Sequence, residues 1–188
     1  MKDNTGRVWT IGHSTRSAAE FLELLSKNEI EMLADIRRFP GSRKYPHFGV
    51  EALTKSLAGA RIGYQHLADL GGRRQPNPDS HNDIWNNKSF RGYADYMETT
   101  EFENAIERLL KIACNKRTAI MCSEAVWWRC HRSLVADFLK ARHVEVVHIL
   151  GLNKNEIHPY TAAAQLANGV LTYCSSVDSI PAKAEKVK

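Results

Sequence analysis

Nothing in the 188-residue chain approaches the roughly 20 consecutive apolar residues that a membrane-spanning helix needs. Its opening stretch, MKDNTGRVWTIGHS, lacks the apolar centre of a secretion signal. Cysteine is sparse and irregularly placed, at 114, 122, 130 and 174, with no Cys-x-x-Cys pair. That pattern argues against a disulfide framework and against the common zinc signatures. There is no internal repeat, no low-complexity linker and no glycine-rich nucleotide-binding fingerprint. The expectation is one soluble, cytoplasmic domain over residues 1–180, with no membrane partner and a flexible basic tail at 181–188. What is present in excess is positive charge: the net charge is +5 and the pI about 9.1, which favours anionic partners such as phosphates or nucleic acid.

Hydrophobic spacing divides the chain into alternating strands and helices. Strands are expected at Arg7–Ile11, Ile30–Ile36, Gly63–Leu67, Thr118–Cys122 and Val144–Leu150, with a last short one at Val170–Tyr173. Helices are expected after Ser17, whose pairing with Glu20 forms a capping box, around Val50–Leu57, over Ser89–Met97 and from Arg132. A further helix over Thr100–Ala113 reads as capped by Thr100 and Glu103, and Pro159 reads as the start of one more. This alternation predicts an α/β fold: a mostly parallel sheet with helices on both faces, a Rossmann-like three-layer sandwich. Two irregular segments, about residues 37–49 and 70–83, exceed the usual connection of about 4–6 residues and read as binding loops.

Open α/β sheets bind ligands beyond the carboxyl ends of their strands. Those ends carry His13 and Ser14, Asp35 and Arg37, His66, Cys122 and Glu124, and His148. The densest stretch is the turn from Thr118 to Arg132, with two thiols, an acid, two indoles, an imidazole and two guanidinium groups. Cys130 stands near a predicted helix N-terminus beside Arg129 and Arg132, a setting that favours thiolate and makes it the candidate nucleophile. Cys122 reads equally as a small core residue at a strand end. A phosphatase loop needs Arg six positions after the cysteine, and Trp128 stands there, so that reading is rejected. His131, in the first turn, is placed to hold a phosphate or donate a proton. Glu124 and Asp35 are candidate acid/base residues, with pairing to Arg37 or Arg132 as the structural alternative. Cys122, Cys130 and His131 could together ligate a metal, but their spacing matches no zinc signature; no metal is assigned and the cofactor stays open. In the segment Arg37–Tyr45, cations alternate with aromatics, which suits phosphate contact and base stacking, and Arg73 and Arg74 follow Gly71-Gly72 as a second anion contact.

Six ordered blocks carry a family resemblance: Thr10-Ile-Gly-His-Ser14, Asp35-Ile-Arg-Arg-Phe-Pro-Gly-Ser-Arg43, Tyr64-Gln-His-Leu67, Leu70-Gly-Gly-Arg-Arg74, Phe90-Arg-Gly-Tyr-Ala-Asp-Tyr-Met97, and Met121-Cys-Ser-Glu124 with Cys130-His-Arg132. Over Thr10 to about His158 the chain resembles the family catalogued as domain of unknown function 488. The resemblance implies a compact α/β domain and transfers no catalytic role to any residue.

The functional expectation is an enzyme-like cleft for a phosphate-bearing small molecule, nucleotide or nucleic acid, with hydrolysis as the reaction class considered. Glu124, Cys130, His131 and Asp35 are its candidate catalytic residues; His13, Ser14, Arg37, Arg43, Arg73 and Arg132 are its candidate anion contacts. Two rivals are a non-catalytic nucleic-acid-binding module and a thiol redox or metal-binding protein using Cys122, Cys130 and His131. The sequence says nothing of oligomeric state.

Overall fold

The computed structural model describes residues 6–41, 43–167 and 169–176. Ser42 of the second motif block and the basic tail at 181–188 lie outside them. β1 (Arg7–Gly12) leads through α1 (Ala18–Lys27) to β2 (Met32–Asp35), then through α2 (Val50–Gly59) to β3 (Gly63–His66). Next come α3 (Lys88–Met97), α4 (Thr100–Asn115), β4 (Thr118–Cys122), α5 (Arg132–Ala141), β5 (Glu145–Gly151) and β6 (Lys154–Ile157). A separate hairpin of β7 (Gln165–Ala167) and β8 (Val170–Thr172) follows. The six-stranded sheet has the order β3-β2-β4-β1-β5-β6, all parallel except the β5–β6 pair.

Period-two alternation decides which layer each strand residue serves. Trp9, Ile11, Leu33, Ala119, Met121 and Val147 face one core, packed by Phe21, Leu24 and Leu25 of α1 and by Leu53 and Leu57 of α2. Val8, Ala34, Ile120, Cys122 and Val146 face the other, packed by α3, α4 and α5 through Tyr93, Phe102, Ile106, Leu109, Leu134 and Leu139. The arrangement is the three-layer sandwich expected from the sequence. Its inner strands β1, β2, β4 and β5 are buried on both faces, and so they read as largely apolar runs.

Helix starts follow from local chemistry. Ser17 and Glu20 form the expected reciprocal capping box on α1. α4 corrects its expected cap: Thr99, not Thr100, accepts the Phe102 N–H, which moves the start back one residue and leaves Glu103 inside the helix. Pro159 opens no helix; the backbone there is held by Asp137, which accepts the Thr161 N–H and hydroxyl. β6 had no hydrophobic signal because Lys154-Asn-Glu-Ile157 is an edge strand with mostly exposed side chains. No helix among the described residues is long and apolar enough to cross a membrane.

Candidate functional site

At the carboxyl ends of β1, β2 and β4 lies a cleft of about 690 Å³, within the range typical of small-ligand sites. Its wall is made by the segments after those three strands, the Gly72–Arg73 turn, the start of α3 and the β4–α5 connection. β4 sits between β1 and β2, which is why residues far apart in sequence meet there. Gly12, the last residue of β1, is required for this closeness: a Cβ on it would lie 1.7 Å from the Glu124 carbonyl oxygen.

Five cations line the cleft, Arg37, Arg38, Lys44, Arg73 and Arg129, against one carboxylate, Glu124. Only Arg37 is paired. Its Nη2 lies 2.6 Å from the Asp35 carboxylate and also donates to the Phe48 carbonyl, while its Nη1 reaches His13 Nε2 at 3.4 Å. Arg38, Lys44, Arg73 and Arg129 have no carboxylate partner among the described residues. Arg38 and Arg73 flank Phe39, 66% exposed, with guanidinium carbons 5.9 and 5.8 Å from its ring centre. Among the described residues, five non-glycine residues have left-handed backbones: Glu29, Arg61 and His143 just past helix ends, and Ser14 and Arg73, which line the cleft. The first three are ordinary helix C-terminal geometry. The last two are strained positions of the sort that cluster at functional sites.

On the floor, Cys122 at the end of β4 meets Cys130 and His131 at the start of α5. His131 Nδ1 lies 3.6 Å from Cys130 Sγ and 3.9 Å from Cys122 Sγ. Its Nε2 is 3.2 Å from the Ile36 carbonyl, so Nε2 carries the proton and Nδ1 presents its lone pair to the sulfurs. Tyr93 packs on the ring at 5.1 Å and is itself anchored by a 2.7 Å bond to the Leu70 carbonyl. The two thiols differ. A hydrogen bond from Cys130, joined by the charge of Arg132, holds the Cys122 thiol well below its ordinary range despite burial. Burial, then the neighbouring Cys122 sulfur, pushes the Cys130 thiol well up. The sequence favours a thiolate at Cys130, and the electrostatics run the other way: Cys122 at the strand end is lowered and Cys130 is raised. His13 stacks on Phe48 at 4.2 Å, and burial, then the charge of Arg37, lowers its pKa.

Other expected site residues have different places. Asp35 is fully buried and saturated by Arg37, the Arg37 N–H and the Tyr64 hydroxyl, so it fixes the β2 turn and does not line the cleft. Arg132 is 1% exposed and donates to the carbonyls of Ile11, Glu124 and Ala125 at 3.3, 2.7 and 2.8 Å; it ties the β4–α5 loop to β1 and does not line the cleft. Arg43 is exposed but off the cleft wall. His66 is spent on the Arg37 carbonyl, and His148 is buried in a separate network. His13, Ser14, Arg37, Arg73, Glu124, Cys130 and His131 do come together in the cleft. Arg38 and Arg129 were missed as wall residues; each neighbours a residue that was chosen, and only the turn geometry distinguishes them.

Residues 17–139 match the family model described as Domain of unknown function DUF488. That span includes every motif block except Thr10–Ser14. No curated protein and no solved structure matches the chain. With well over half of its length matched, the chain belongs to the DUF488 family.

Proposed function

We propose that the cleft binds a phosphate-bearing ligand, with a nucleotide or a nucleic-acid terminus as the substrate class, and acts on it as an enzyme. The observation that carries this reading is the set of four cations, Arg38, Lys44, Arg73 and Arg129, held around one concave site without carboxylate partners. Unpaired like charges repel one another, and a bound polyanion relieves that cost through charge-assisted hydrogen bonds. The cleft volume favours a ligand of mononucleotide size over a long duplex. Phe39, held between Arg38 and Arg73, offers an aromatic face at the rim for a base. Glu124, the single carboxylate on the wall, is the proton acceptor in this reading, and the Cys122–Cys130–His131 floor is the reacting end. Four free thiols suit a reducing compartment, and we place the protein in the cytoplasm on that basis.

Titration calorimetry with inorganic phosphate, a nucleoside 5′-monophosphate and a 5′-phosphorylated oligonucleotide tests the reading. The nucleotide should bind more tightly than phosphate, more weakly as salt rises. Arg73→Ala and Lys44→Ala should each cost about tenfold, roughly one charge-assisted hydrogen bond. Affinity that climbs steadily with oligonucleotide length would instead favour the non-catalytic binding module. Absence of binding by all three ligands would reject both.

A further inference from the structure

We propose that Cys122, Cys130 and His131 form a three-ligand site for a zinc-class divalent cation, with the fourth coordination position open to the cleft. These three residues are candidates in the sequence, but their spacing matches no zinc signature: the two cysteines are eight residues apart and the histidine adjoins the second. The fold removes that objection by bringing the end of β4 against the first turn of α5.

Cys122 Sγ, Cys130 Sγ and the ligating nitrogen of His131 all lie within 4.8 Å of one another. With Zn–S near 2.3 Å and Zn–N near 2.0 Å, a tetrahedral centre needs ligand atoms about 3.5–3.8 Å apart. The two sulfur–nitrogen distances, 3.6 and 3.9 Å, match that edge to within a few tenths of an ångström. The imidazole is also set in advance. Its Nε2–H donates to the Ile36 carbonyl, the outer hydrogen bond that metal-binding histidines use to fix tautomer and ring orientation, and Nδ1 is thereby left as the ligand atom. Room exists beside that atom because residue 72 is glycine: a Cβ there would lie 2.9 Å from His131 Nδ1.

Charge and ligand type select the cation. Two thiolates and one neutral imidazole suit zinc and exclude calcium and magnesium. Two thiolates cancel the charge of a divalent ion, so the loaded centre is neutral and adds no net positive charge beside the buried guanidinium group of Arg132. Among the described residues no fourth side-chain ligand joins the group. All three ligand residues line the cleft, so the remaining position faces the space where the anion would lie. Three protein ligands with one open position is the pattern of catalytic rather than structural zinc. The open position would take a water or a phosphate oxygen. The site stands on its own geometry and does not require the nucleotide reading.

The test is cobalt(II) titration of the whole reduced chain, with zinc competition and metal quantitation after dialysis. One equivalent of cobalt should give a thiolate-to-metal charge-transfer band and the intense visible bands of a tetrahedral centre, abolished by zinc. Cys122→Ser, Cys130→Ser and His131→Asn should lose them. Gly72→Ala, which keeps every ligand, should weaken binding by about tenfold or more, as changes next to a ligand typically do. No charge-transfer band in the wild-type chain overturns the site, as does binding that survives all three ligand substitutions. Preferential formation of a Cys122–Cys130 disulfide in the presence of excess zinc also overturns it. If a ligand variant fails to fold, the wild-type spectrum and Gly72→Ala still decide. Nucleotide titration of the metal-free protein separates this outcome from the anion reading: either can fail while the other holds.

Discussion

Two groups of buried polar side chains hang from the same sheet, and they use their hydrogen-bonding capacity very differently. Behind β5, Thr10 donates to His148 Nδ1 at 2.6 Å, His148 Nε2 to His158 Nδ1 at 2.9 Å, and His158 Nε2 to Asp137 at 3.0 Å. Asp137 also accepts from the Thr161 N–H, the Thr161 hydroxyl and the Tyr173 hydroxyl. Trp127 covers His148 face to face at 4.6 Å. Each donor in that chain meets one acceptor, and no ring nitrogen is spare. At the cleft, His131 Nδ1 faces only two sulfurs at weak-contact distance, Glu124 has no ion-pair partner among the described residues, and four cations are unneutralised. A histidine-rich, acid-containing network that is fully satisfied holds strands and turns together. A cluster whose lone pairs and charges face open space is where a ligand completes the set. Burial of titratable groups alone does not separate the two; the state of their partners does.

The sharpest way to break the comparison is to remove one member from each group. Asp137→Ala strips the buried acceptor from His158, Thr161 and Tyr173 and should cost about 3–5 kcal/mol in urea denaturation. Cys122→Ala should cost only about 1 kcal/mol, because the Cys130 thiol that loses its acceptor is a weak donor. Equal losses would mean that the cleft floor is as structural as the Asp137 network.

Acid sharpens the same contrast. Burial, then the charges of His158 and Arg132, lowers the pKa of His148 to about 2, whereas an unfolded histidine protonates near 6.5. Below that pH the unfolded chain holds a proton that folded His148 refuses. Its contribution is therefore intact above about pH 6.5 and falls by about 1.4 kcal/mol per pH unit below it, toward pH 2. His148→Asn should flatten the acid limb of the stability curve. An unchanged slope would place the acid sensitivity elsewhere.

The smallest effect expected is at Arg43. It is exposed and off the cleft wall, so Arg43→Ala should change nucleotide affinity less than about twofold, against about tenfold for Arg73→Ala. Equal effects would extend the anion surface along the 37–49 loop.

Much of the fold was legible in the sequence because its strands are buried on both faces and its helices carry apolar stripes. Ala119–Met121 is apolar for that reason, as are Val8–Ile11 and Val146–Ile149 apart from the paired Thr10 and His148, and Ser17 with Glu20 marks α1 by its own chemistry. β6 was illegible because an edge strand exposes most of its side chains, and Pro159 misled because Asp137 already occupies the backbone donor a helix start would offer. The candidate site was legible as a region but not as roles. Residue type placed Asp35, Arg132 and Cys130 among functional groups. Partnering reassigned them: Arg37 saturates Asp35, three carbonyls hold the Arg132 guanidinium, and the hydrogen bond between the thiols lowers the Cys122 thiol and not the Cys130 thiol. Those partners come from strands that adjoin only because β4 inserts between β1 and β2, an order the local sequence does not encode.

The most direct test of the central claim is peptide-resolved alkylation of the metal-free, reduced chain by iodoacetamide, with and without a nucleoside 5′-monophosphate. The account predicts that the nucleotide slows alkylation of Cys122, on the cleft floor, while exposed Cys114 reacts at an unchanged rate. Alkylation of Cys122 at the same rate with saturating nucleotide would contradict the placement of a phosphate-bearing ligand in this cleft.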